Sequence, residues 1–113
     1  MDDARAREAL RDERARVERL LQELTRAGEE DRDATRATGD MADPAQPLTD
    51  EQTADAIAQG LRDRLAAIER AEARLEAGTY GRSVLSGKLI PEQRLAADPA
   101  AELTIDEAIA AER

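Results

Sequence analysis

The side chains that could do chemistry in this chain are carboxylates, and they are concentrated in one stretch. Of 113 residues, 26 are Asp or Glu and 17 are Lys or Arg, a formal net charge of −9. Residues 1–27 carry seven acids and seven bases, and residues 56–113 carry ten and eight. Residues 28–55 carry nine acids against two bases, so this middle segment alone holds −7 of the −9. Within it, Asp40 and Asp43 stand three apart in Asp40-Met41-Ala42-Asp43-Pro44-Ala45. Read alone, the segment is a solvated acidic loop. Its functional reading is a set of oxygen ligands that pair with a partner's cationic groups or perturb a hydrated Mg²⁺.

Other chemistries are excluded by composition. There is no Cys and no His, which removes disulfides, thiol catalysis and the usual zinc ligands together; a metal site would have to be built from carboxylates. No phosphate-binding glycine loop is present and nothing in the sequence converges the carboxylates, so an enzyme is not expected. The acidic balance argues against nucleic acid as a direct ligand, because neutralising phosphates needs a concentrated basic face. Tyr80 is the single aromatic residue. With Ala, Leu, Arg, Glu and Asp dominant, this is the composition of a helical protein.

Two helices must position the acidic segment. Thr49-Asp50-Glu51-Gln52 is a capping box that predicts a helix start near residue 50. From there Ile57, Leu61, Leu65, Ile68 and Leu75, with Ala54, Ala58 and Ala71 between them, form one apolar stripe. Gly78 is where a left-handed C-cap residue is expected, so the helix should end at about Ala77. Before it, Asp2 to Ala27 reads as a helix with Leu10, Val17, Leu20, Leu21 and Leu24 on one side and Gly28 as a plausible stop. The economical solution is an antiparallel coiled-coil hairpin over residues 1–77, with residues 28–48 as its acidic tip. Part of that tip, Glu30 to Ala34, is able to extend the first helix.

Residues 78–113 read as a small C-terminal module. Glycines punctuate 78–87, Pro91 opens a brief helix over Glu92 to Leu95, and Asp98-Pro99 breaks the chain. Thr104-Ile105-Asp106-Glu107 is a second capping box, opening a terminal helix through Ala111. Tyr80, Leu85, Leu89, Ile90, Leu95, Leu103, Ile105 and Ile109 are expected to form one apolar cluster. The fold class is therefore mainly all-α.

The order of these features resembles a known family. An amphipathic helix ending in Gly78-Thr79-Tyr80-Gly81 is followed by the doublet Ser83 and Ser86, Gly87, then Leu89-Ile90-Pro91-Glu92-Gln93-Arg94-Leu95. Asp98-Pro99 and a second doublet, Thr104 and Glu107, complete the pattern. It is similar to the DksA/TraR four-cysteine zinc-finger family over nearly the whole chain. Members of that family bind RNA polymerase by inserting an antiparallel coiled coil into its secondary channel, with acidic tip residues toward the active site. The family's tip pattern, Asp-x-x-Asp-x-Ala, falls here on Asp40, Asp43 and Ala45. The resemblance thus implies RNA polymerase as partner and these three residues as the binding tip, Ala45 being small where the tip fits closely; Pro44 between them is unusual and would stiffen or redirect the tip.

The departures from the family pattern carry equal weight. All four zinc-ligand positions are replaced, by Ser83 and Ser86 at the first pair and Thr104 and Glu107 at the second. No metal and no cofactor are expected; a hard-cation site at Glu107, Asp106 and the hydroxyls would bind weakly. Thr104 and Glu107 are instead expected to satisfy the first amides of the terminal helix, and Ser83 and Ser86 the backbone of the turn. Positions at which responsive members carry basic residues for guanosine tetraphosphate are Ala67, Asp98 and Ala108, so direct co-operation with that nucleotide is not expected. Gly60 stands where some members place an Arg. No apolar run approaches membrane-spanning length and Met1-Asp2-Asp3 lacks signal-peptide character, which points to a cytoplasmic protein; it is expected to be a monomer. The rival readings are a zinc-free hairpin that binds a different protein, and a coiled coil that oligomerises through its thin seams.

Overall fold

The computed structural model describes residues 1–38 and 45–113, and the side chains within 1–28 and 52–113. It contains four helices among the described residues: α1 (Asp3–Thr38), α2 (Ala45–Ala77), α3 (Glu92–Ala97) and α4 (Ile105–Ala111). Its β structure there is a single isolated antiparallel bridge between Arg82 and Leu89. The class is all-α, a hairpin of two long helices followed by a small C-terminal module. No helix among the described residues is long and apolar enough to cross a membrane.

The chain divides into two compact units, Met1–Ala15 with Leu65–Arg113, and Arg16–Arg64. In the first, α1 and α2 run antiparallel, as their ion pairs demonstrate. Arg7 pairs with Glu76 at 3.2 Å, whereas Arg14, two turns further along α1, pairs with Glu72 and lies 3.7 Å from Glu69. Beneath these charges Ala6, Leu10, Ile68 and Ala71 are fully buried and Leu75 is nearly so. In the second unit Val17 is fully buried and Leu20, Leu21, Leu24 and Leu61 are half-buried. Ile57, expected on the apolar stripe, is instead exposed.

Both long helices exceed their expected bounds. α1 does not stop at Gly28 but continues to Thr38. The glycine is not in the left-handed region; it stays helical at a cost of about 1 kcal/mol relative to Ala, and the residues after it contain no breaker. α2 begins at Ala45, ahead of the Thr49 box, and so includes Pro47. As the third helical residue, Pro47 lacks an N–H that would have no intrahelical partner in any case. The end of α2 is as expected. Gly78 has φ +77°, its N–H donates to the Leu75 carbonyl, and the Thr79 N–H reaches back to Arg74 at 2.9 Å. This pair of bonds is the Schellman closure.

The apolar cluster of the C-terminal module is smaller than expected. Ile90, Leu95 and Ala101 are buried together, with Tyr80 and Met1 packed against them. Leu85, Leu89, Ile105 and Ile109 are exposed, and α4 buries none of its residues. Met1 enters from the opposite end of the sequence, and its amino group pairs with Glu92. Tyr80 donates its hydroxyl to the Pro99 carbonyl at 2.8 Å. Glu102 joins α2 to this module: its carboxylate takes Arg70 Nε at 2.6 Å and its carbonyl takes the Val84 N–H at 2.9 Å.

Candidate functional site

The acidic pair of the expected tip, Asp40 and Asp43, falls between α1 and α2 in sequence and lies outside the described residues. Ala45 is the first residue of α2; its side chain is likewise outside the description.

The second set of singled-out residues is brought together. Residues 82–89 form a tight turn, with the Ser83 N–H donating to Lys88 O at 2.8 Å and the Gly87 N–H to Ser83 O at 3.0 Å. Gly87 takes φ +76° to close it. Among the described residues Ser83 is the one buried polar residue, 5% exposed. Its Oγ accepts the N–H groups of Leu85 and Ser86 at 3.1 and 3.3 Å. Ser86 Oγ accepts the Lys88 N–H at 3.3 Å. These are the local side-chain caps that serine favours in turns.

At the other doublet, Thr104 is the N-cap of α4, and the capping box is complete. Thr104 Oγ1 accepts the Glu107 N–H at 3.3 Å and Glu107 Oε1 accepts the Thr104 N–H at 3.0 Å. The electrostatic effect of the first doublet reaches the second at the Glu107 carboxylate. Its pKa is pulled down to about 2, first by the Ser83 hydroxyl, then by the Thr104 backbone, with Ser86 and the Thr104 side chain adding to this and partial burial opposing it. Hydrogen bonds to the charged form are the cause. Local spacing yields the two doublets separately, and the family resemblance is what places all four positions at one site.

The four residues do not fit zinc. That ion is held by thiolates, imidazoles and carboxylates, whereas three of the groups here are hydroxyls whose oxygens already accept backbone amides. Among the described residues no group of three or more His, Cys, Asp or Glu is placed to hold a metal. Asp98 accepts the Ala100 N–H at 3.2 Å and so serves as a turn residue. A shallow groove beside Arg7, Arg11 and Arg14 is edged by Glu72 and Glu76, so its charges are largely neutralised within the fold.

A long antiparallel helical hairpin with a small module built on a glycine-rich turn and two short helices is a DksA-like fold. The similarity is specific: the chain is 29% identical to transcription factor DksA2 from Pseudomonas aeruginosa, over 99% of this chain and 90% of that one, with a TM-score of 0.56. No protein-family model matches the sequence, and no curated protein matches it. The similarity is to a transcription factor and not to an enzyme.

Proposed function

We propose that this chain is a transcription regulator that acts by protein contact, binding RNA polymerase through the secondary channel with its acidic hairpin tip directed toward the active site. The observation that carries this reading is similarity along almost the full chain to a transcription factor of the same helical-hairpin fold. The family's tip pattern on Asp40, Asp43 and Ala45 supports it, as does the position of those residues in sequence between α1 and α2. The two carboxylates are the working end, pairing with basic groups of the polymerase or perturbing the hydrated Mg²⁺ beside them. The net charge of −9 favours contact with the enzyme over contact with DNA. The regulator acts as a cytoplasmic monomer and needs neither zinc nor a cofactor.

The test is transcription by RNA polymerase from the same organism, with the wild type and with the double variant Asp40→Asn, Asp43→Asn. The proposal expects both proteins to bind and the variant to lose its effect on transcription. Absence of binding by the wild type would refute it.

A further inference from the structure

The large apolar side chains that the C-terminal module leaves outside fall on two faces of opposite charge. The first belongs to the turn 82–89. Arg82 and Leu89 are antiparallel bridge partners, so their side chains share one side of the ladder. Leu89 is 69% exposed, and Val84 and Leu85, in the turn between the two, are 53% and 72% exposed. These side chains are held outward by a pinned backbone: the Ser83 N–H donates to Lys88 O at 2.8 Å, Gly87 N–H to Ser83 O at 3.0 Å and Val84 N–H to Glu102 O at 2.9 Å. A surface fixed in this way loses little conformational entropy on docking. Its charge is positive. From Ala77 to Pro91 there is no Asp or Glu, the longest such stretch in a chain that has 26 of them, and Arg82 and Lys88 are its charged residues.

The second face belongs to α4 and its C-cap. Ile105, Ile109 and Glu112 recur at four- and three-residue spacing and so share one side of the helix, with Asp106 at its border. The two isoleucines are 53% and 47% exposed, and α4 has no buried residue. Among the described residues neither Arg82 nor Lys88 pairs with a carboxylate, and neither Asp106 nor Glu112 pairs with a cation. One face is therefore apolar with free cations and the other apolar with free carboxylates. Within one chain they do not cover each other, since all five aliphatic side chains stay exposed.

We propose that the free protein forms a reciprocal dimer through the C-terminal module, in which the 82–89 turn of each copy lies on the α4 face of the other. Leu89 and Val84 then cover Ile105 and Ile109, and the cations of the turn stand at the rim against Glu112 and Asp106. The Val84–Glu102 bond holds the turn and the start of α4 in one module, so a single two-fold axis serves both contacts and the assembly closes at two copies. The five side chains present on the order of 500 Å² of apolar surface per copy. Covering them on both copies reaches the ~1,000 Å² at which specific interfaces begin, which sets the dissociation constant at about 10–100 µM. The monomer of the proposed function is the other side of this equilibrium, and the two readings fail separately because dimerisation involves this chain alone.

The experiment is sedimentation equilibrium of the full chain from about 1 µM to about 1 mM. The wild type is expected to rise from its monomer mass of 12.3 kDa toward twice that value. Leu89→Ser should remain monomeric throughout; the residue is exposed, so the fold survives its replacement, as circular dichroism will check. Lys88→Glu and Glu112→Lys should each raise the dissociation constant at least about fivefold, and the double reversal should return it to within about twofold of wild type. A wild type that stays monomeric at the highest concentration overturns the proposal and leaves the two faces to a different partner. A dimer that survives Leu89→Ser but is lost in Ile57→Ser also overturns it, because the contact would then lie along the hairpin seam. So does a double reversal that restores nothing.

Discussion

Thr104 and Glu107 cap α4 reciprocally: the Glu107 N–H donates to Thr104 Oγ1 at 3.3 Å while the Thr104 N–H donates to Glu107 Oε1 at 3.0 Å. Each bond satisfies an amide that the first turn of a helix leaves without an intrahelical partner. Thr104→Ala removes one of them and is expected to destabilise the C-terminal module by about 1 kcal/mol, whereas Thr104→Ser should be near neutral. Urea denaturation of the two variants checks this.

The ionisation of Glu107 gives the stability a defined dependence on pH. Its folded-state pKa, about 2, lies below its ordinary value of 4.5, so the protein binds fewer protons folded than unfolded through that range. The stabilisation from this group is complete above about pH 4.5 and is lost as pH falls toward 2. Glu92, lowered by the amino terminus of Met1, acts in the same direction. The urea midpoint should therefore stay level, as far as these groups govern it, from pH 8 to 5 and then fall. Glu107→Gln should flatten the acid limb, and an unchanged acid limb in that variant would contradict the assignment.

Two glycines are expected to respond to alanine with opposite sign. Gly60 lies within α2, and a Cβ placed there meets nothing within 4 Å. Gly60→Ala should stabilise the chain by about 1 kcal/mol. Gly78 also has open space, but its φ of +77° is one that an L side chain resists. Gly78→Ala should destabilise by about 1 kcal/mol. Thermal denaturation of both variants reads the difference directly.

Folding should not depend on metal or on thiol redox state. The chain has no Cys and no His, and the side chains of Ser83, Ser86, Thr104 and Glu107 are engaged by backbone amides. Circular dichroism and the melting midpoint are expected to be the same with and without a strong divalent-metal chelator, and before and after mild peroxide. A lower midpoint in chelator would point to a bound cation.

Much of the C-terminal module was legible in sequence because its signals are local. The Thr104 box, the left-handed Gly78 and the helix opened by Pro91 each depend on residues within four positions of one another, and each stands where its spacing placed it. The bounds of the long helices were less legible. Gly28 and Pro47 look like breakers, yet a helical glycine costs only about 1 kcal/mol and a proline in the first turn removes no intrahelical bond. Burial was the least legible property. Leu85, Leu89, Ile105 and Ile109 have the same hydrophobicity as Ile90 and Leu95, and only the packing of distant segments, Met1 included, decides which are covered.

The proposed approach of the hairpin tip to the polymerase active site is directly measurable, because the chain has no cysteine. Met41→Cys introduces a single thiol between Asp40 and Asp43, to which an iron chelate that generates hydroxyl radicals can be attached. With the labelled protein bound to RNA polymerase, the account predicts cleavage of polymerase segments that line the secondary channel and the catalytic centre, suppressed by excess unlabelled wild type. Cleavage confined to the outer surface of the polymerase, or none above the unlabelled control, would contradict it.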